Sequence, residues 1–190
     1  IVIPSLDLES DTWHEDAAGK EMFRVSGGYM FEGDRMAGWM SNYQLRGYRW
    51  AQPKMHTYVR IPAEGPADAV LVLSRPKLSI APVSEGGDVR FDLKLKAHGY
   101  VTELIRDVSE ARLQRLAAEA LREDIAYTYS QGLKLRCDPF GLRHALYRVR
   151  PAAFHRLKRE EGFFLRPDSL RRIRVDVRIT SMGKYKGRNE

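Results

Sequence analysis

Val89-Arg90-Phe91-Asp92-Leu93-Lys94-Leu95-Lys96-Ala97 puts an apolar side chain at every second position and a charged one between. That period of two is the signature of a β-strand with one dry face and one wet face. Fully buried, Val89, Phe91, Leu93 and Leu95 would each contribute at most about 1.5–3 kcal/mol, an upper bound because the unfolded chain already hides some surface. A charge at Leu93 is therefore predicted to unfold the domain rather than impair a function. Glu85-Gly86-Gly87 reads as the turn that opens the strand. The same alternation returns near the carboxyl end, where Ile173, Val175, Val177 and Ile179 point inward and Arg172, Arg174, Asp176, Arg178 and Thr180 outward.

The residues between these two strands carry a helical period instead. Ser109 is placed as a cap, Leu113, Leu116, Ala120, Leu121 and Ile125 recur at three- and four-residue spacing, and Glu110, Arg112, Arg115, Glu119 and Arg122 fall on the other side. The pattern predicts one long helix reaching about Cys137. Asp138-Pro139 then reads as an N-cap followed by proline at the first helical position, opening a short helix to Val149, and Pro151 opens another.

Upstream, Ala69-Val70-Leu71-Val72-Leu73 continues past Pro76 to Ile80 as a strand that bends or lies at an edge at the proline. His56–Ile61 is a further strand, joined to it by the loop Pro62-Ala63-Glu64-Gly65-Pro66. Residues 22–40 predict a hairpin through Phe23, Val25, Tyr29 and Phe31, a turn at Glu32-Gly33-Asp34, and a return through Met36, Trp39 and Met40. Gly27-Gly28 inside its first strand marks a bulge or a close backbone approach, since no GxGxxG spacing or following helix supports a phosphate cradle. Ser41 and Asn42 cap a short helix over Tyr43–Ala51, closed by Pro53. Strands grouped before helices, with one strand returning afterwards, define an α+β fold: a mainly antiparallel β-sheet packed by a long helix and several shorter ones. No repeat or linker divides the chain, so residues 1–190 are expected to form a single domain.

With 43% hydrophobic and 30% charged residues among 190, the composition is that of a folded globular protein. No apolar run reaches the roughly 18 residues of a membrane-spanning helix, and no basic start leads into the short apolar stretch of a signal peptide. The chain opens on Ile1-Val2-Ile3-Pro4 without an initiator methionine and is expected to be a piece of a longer protein. Its net charge of +7 is uneven: acids dominate from Asp7 to Asp34, whereas Arg150, Arg156, Lys158, Arg159, Arg166, Arg171, Arg172, Arg174 and Arg178 crowd the carboxyl end. Such asymmetry suits nucleic acid, anionic lipid or an acidic protein as partner.

Catalytic signatures are missing from the sequence. The five histidines, His14, His56, His98, His144 and His155, make no HExxH or other compact ligand spacing, and His14-Glu15-Asp16 reads as a hydrated turn. Cys137, in a predicted helix, is a small buried hydrophobe rather than a nucleophile, and its seven-residue separation from His144 matches no known diad. No GxSxG, Walker or kinase motif occurs. The sequence therefore predicts a protein that is not an enzyme and needs no cofactor or metal.

Several segments, taken in order, resemble the C-terminal domain of the Ger(x)C family, the C subunits of bacterial spore nutrient germinant receptors. Met36-Ala37-Gly38-Trp39-Met40 followed by Leu45-Arg46-Gly47 is similar to the family's glycine, hydrophobic pair and Arg-Gly segment. The Gln131 region and Asp138-Pro139-Phe140-Gly141-Leu142 look like its long helix ending in an Asp-hydrophobic-Phe-Gly box, and Pro151 and the last strand into Ser181-Met182-Gly183 fit its closing elements. Gln44 stands where the family tends to have an acid, Pro139 is a departure within the box, and no tryptophan lies near Phe154–Phe164.

The resemblance implies a lipoprotein subunit on the outer face of the inner spore membrane, held by an amino-terminal lipid anchor beside the A and B integral membrane subunits. It would act in nutrient-triggered germination through protein-protein contacts. The matched positions Gly38, Arg46, Gly47, Asp138, Phe140 and Gly141 suit turns and caps, so architectural roles are expected of them. Arg172, Arg174 and Arg178 share one strand face and form the candidate surface for a partner or for anionic lipid. A basic nucleic-acid-binding module is the alternative reading, weakened by the lack of aromatics interleaved with these arginines.

Overall fold

The computed structural model describes residues 1–9, 14–15, 18–19, 21–62, 66–85 and 88–182. The side chains of the His14-Glu15-Asp16 turn, the centre of the 62–66 loop, Gly86 and Gly87 of the turn before β8 and the residues from Gly183 onward lie outside the described set. In chain order the strands are β1 (Val2–Glu9), β2 (His14–Glu15), β3 (Ala18–Gly19), β4 (Met22–Glu32), β5 (Arg35–Ser41), β6 (His56–Ile61), β7 (Ala69–Glu85) and β8 (Asp88–Leu104). Helices α1 (Glu110–Lys134), α2 (Leu142–Val149) and α3 (Pro151–Glu161) follow, and β9 (Leu170–Ser181) closes the order. They form a three-stranded sheet β1-β4-β5, a small pair β2-β3, and a four-stranded sheet β6-β7-β8-β9.

The strand quoted first in the sequence is the centre of the larger sheet. Phe91, Leu93, Leu95 and Ala97 are fully buried while Lys94, Lys96 and His98 are exposed. Leu113, Ala117, Leu121 and Ile125 of α1, four residues apart and therefore on one stripe, meet this dry face together with Val177 and Ile179 of β9. Every strand pair here is antiparallel except β8 with β9, which run parallel from Phe91↔Leu170 to Tyr100↔Ser181. A parallel pair needs a long crossover. The three helices supply it, carrying the chain from the end of β8 back to its start.

Three local expectations change. Residues 43–51 form turns and a short 3-10 segment, Tyr48–Ala51, rather than an α-helix, because Gly47 sits directly against the backbone of α1. Helix α1 stops at Lys134, short of Cys137: Gly132 carbonyl accepts the amides of Leu135 and Cys137, and Arg136 adopts a positive φ of 51°. Cys137 is thus buried in the loop after the helix. Helix α2 begins at Leu142 rather than Pro139, because Gly141 takes the left-handed conformation at φ 77°. Of the two alternatives at Pro76 the structure has the bend and not the edge: β7 is internal, and its register shifts between Ser74 and Lys77, around the proline.

The hairpin β4-β5 turns at Gly33-Asp34. Opposite Ser5 and Leu6 the register of β4 slips by one residue at Ser26, a bulge beside Gly27. Gly27 is also a close approach, since a Cβ there would stand 2.2 Å from the Met40 carbonyl.

Candidate functional site

The matched Arg-Gly segment is a latch between the two sheets' loops and α1. Ser41 Oγ accepts the Gln44 amide at 3.2 Å while Gln44 Oε1 accepts the Ser41 amide at 2.9 Å, a reciprocal cap. The carbonyl of Gln44 thereby does what an acid would do at this position, and its Nε2 reaches Gln131 Oε1 at 3.2 Å. Gly47 donates its amide to Thr128 Oγ1 at 2.8 Å, and that hydroxyl donates onward to the Gln44 carbonyl at 2.7 Å. A Cβ on Gly47 would stand 2.2 Å from the Asp124 carbonyl oxygen, so only glycine allows the approach. Arg46 lies between the rings of Tyr43 and Tyr127, at 4.4 and 4.0 Å, with Nε 2.9 Å from Asp124 Oδ1. Trp50 donates to the other oxygen of the same carboxylate at 3.1 Å.

These groups wall a cleft of about 690 Å³ between the 3-10 segment, β6 and α1, whose rim bears both Arg49 and Arg60 and Glu119 and Glu123. Arg46 is held by the Asp124 carboxylate and two rings, and Arg49 lies 3.8 Å from the same carboxylate. The arrangement holds surfaces together.

The Asp-Pro-Phe-Gly box forms the second junction. Asp138 accepts the amides of Phe140, Gly141 and Arg143 at 3.3, 2.9 and 2.7 Å. Its burial pushes the carboxyl above the usual range, against those hydrogen bonds, which pull it down. Arg143, only 8% exposed, pairs with Glu32 of β4 and donates to the Gly162 carbonyl at 3.3 Å, with Phe163 and Phe164 within 5.4 Å of its guanidinium. Phe140 is buried in the main core, and Gly38 of β5 rests against Leu135. Burial first, then Asp138 and Glu32, push the Cys137 thiol up to about 11, opposite to the lowering that a nucleophile needs. Among the described residues no cluster of His, Cys, Asp or Glu could hold a metal, and no helix is long and apolar enough to cross a membrane.

Two exposed surfaces remain. Arg172, Arg174 and Arg178 do share a face, and register adds what the sequence reading missed: Lys94 stands between Arg174 and Ser79, while Lys96 faces Lys77 and His98 faces Arg178 from neighbouring strands. The outward lysines of β8 were visible in the alternation, but only the parallel pairing of β9 brings them next to its arginines. Asp92, one of the acids on this face, is engaged by Arg171 through two hydrogen bonds of 2.9 and 2.6 Å, which hold its carboxyl below the usual range. The second surface is apolar. Beyond the bulge at Ser26, Leu6 pairs with Val25 and Leu8 with Phe23. All four are exposed, Phe23 to 72% and Leu8 to 62%, on an arm formed by β1 and β4.

A family model described as "Spore germination B3/ GerAC like, C-terminal" matches residues 26–183, from the bulge in β4 past the end of β9. No curated protein matches the chain. A solved structure described as "Crystal Structure of the GerBC protein" superposes with a TM-score of 0.70 at 15% identity, covering 94% of this chain and 56% of that one. At that identity the likeness is one of fold, and the chain spans little more than half the length of the protein it matches.

Proposed function

This chain belongs to the spore germination B3/GerAC-like C-terminal family, and from that premise we propose that it is a non-catalytic domain of a germinant-receptor C subunit, working in nutrient-triggered germination through protein-protein contacts. The observation that carries the reading is the match across residues 26–183, within which the motif residues serve the architecture. Arg46 and Gly47 fasten α1, and Asp138 ties the loop before α2. Residues 1–190 act as one domain of the longer subunit. The A and B integral membrane subunits are the proposed partners, the place is the outer face of the inner spore membrane, and the subunit is held there by an amino-terminal lipid anchor.

The apolar arm supports contact with protein. Contiguous exposed apolar side chains are uncommon on a surface that meets only water, and Leu6, Leu8, Phe23 and Val25 lie side by side on one strand pair. The test is made in the spore. Deleting the gene is expected to abolish the response to the nutrient its receptor serves, and normal germination in the deletion strain refutes the reading. In the full-length subunit, Leu8→Asp with Phe23→Asp is expected to keep the fold and lose co-purification with the membrane subunits.

A further inference from the structure

We propose that the outer face of the four-stranded sheet is a docking surface for an anionic lipid bilayer. The face is organised in rows across β7, β8 and β9. Ser79, Lys94 and Arg174 form one row, Lys77, Lys96 and Asp176 the next, and Ser74, His98 and Arg178 the one after, with Arg172 beside Asp92 at the near end. Six cations, Lys77, Lys94, Lys96, Arg172, Arg174 and Arg178, are all exposed, and no ion pair ties any of them among the described residues. Asp176 and Asp92 are the acids among them, and Asp92 is already engaged by Arg171. Strand spacing sets the array at about 10 Å by 20 Å, with same-face neighbours about 5–7 Å apart.

The choice of occupant follows from that geometry. A specific protein interface has an apolar or aromatic centre and few lysines, whereas the centre of this face is lysine and arginine. Single-stranded nucleic acid needs bases stacked on aromatics along the track that binds its phosphates, and no aromatic lies among the cation rows. The next row instead brings Tyr58, 69% exposed, and Tyr100 onto the same face at one end of the sheet. A patch of cations flanked by tyrosines is the pairing of features suited to a headgroup layer, in which phosphates are many and mobile and amphipathic rings settle at the interface. No shape complementarity is required of such a partner. The inference rests on this face alone and survives or falls independently of the receptor reading.

The test is sedimentation of residues 1–190, and of the full-length subunit, with vesicles of equal parts phosphatidylglycerol and phosphatidylcholine at low ionic strength, against pure phosphatidylcholine. Binding to the mixed vesicles alone, weakening as salt is raised, is expected. Lys94→Glu with Lys96→Glu and Arg174→Glu is expected to weaken it at least a hundredfold, from about fivefold or more per charge. Arg148→Glu with Arg156→Glu and Arg159→Glu makes the same change in net charge on the exposed surface of α2 and α3, and is expected to weaken it less than tenfold. Unchanged melting temperatures confirm that both variants fold. Absence of vesicle binding, an equal loss in the two variants, or binding of a thymidine oligonucleotide through the same residues without vesicle binding would each overturn the proposal.

Discussion

The two main sheets of this protein are held by very different amounts of core. The four-stranded sheet presents Phe91, Leu93, Leu95 and Ala97 to α1, and Trp50, Phe140, Leu142, Leu146, Phe164 and Leu165 close the same cluster. The three-stranded sheet buries Met30 and Met40 against Cys137, with Val2, Ala37, Leu45 and Leu135 at the margin. Past its bulge that face carries on into Leu6, Leu8, Phe23 and Val25 with little to cover it. Alternation specifies that a strand has a dry face; what lands on the face decides whether it becomes core or contact surface. The smaller sheet is joined to the larger body largely through polar ties, Glu32 with Arg143 and Gln44 with Gln131, beside its small cluster.

The largest effect is expected at the centre of the larger sheet. Leu93→Asp leaves an unpaired charge in a site that is 1% exposed, a cost of several kcal/mol against a total stability of about 5–15 kcal/mol. Circular dichroism should show the whole chain unfolded; a folded variant with both sheets intact would deny that this core governs the domain.

Met40→Ala is the counterpart in the smaller sheet, where the lost side chain and the cavity it leaves cost about 2–4 kcal/mol. Local rather than global opening is expected. Amides of β4 and β5 should lose protection from hydrogen exchange while those of β7 and β8 keep theirs. Cys137, whose thiol stays protonated at neutral pH with its pKa pushed up to about 11, should react with a thiol reagent faster than in the unsubstituted chain. Equal loss of protection in both sheets would show one cooperative unit instead of two.

The smallest effect belongs to the surface tie of β9. Arg171 holds the Asp92 carboxyl below its usual range, so the contribution is fully present above the unfolded-state pKa of about 4 and is lost as the pH falls through the lower folded-state value. Asp92→Asn should cost about 0.5 kcal/mol at neutral pH, as befits a largely solvated pair. Chemical denaturation should find that the difference disappears in acid. A difference that persists there would mean that packing, not charge, is what Asp92 supplies.

The larger sheet was more legible than the smaller one because its strands alternate through long stretches and its helix has an unbroken stripe. Strand β1 carries no such mark: Val2, Ile3 and Pro4 do not alternate with polar residues, and the strand is defined by its pairing with β4. The site was legible in part. Arg172, Arg174 and Arg178 could be assigned to one face from their spacing, but Lys77, Lys94 and Lys96 could not be joined to them without the register. Arg46, Gly47 and Asp138 were found by their motifs, whereas Tyr127, Asp124 and Thr128, which they contact, carry no local mark.

By itself the sequence determined the strands of the larger sheet, the β4-β5 hairpin and the long helix, since period two and period 3.6 are properties of neighbouring residues. It also determined the absence of recognisable catalytic motifs and the excess of positive charge. Tertiary structure decided that β9 pairs parallel to β8, that Gly47 must touch α1, that Cys137 is sealed with a raised pKa, and that six cations from three strands make one surface. Those outcomes depend on where distant segments are carried by the crossover, and the local pattern of side chains holds no record of that path.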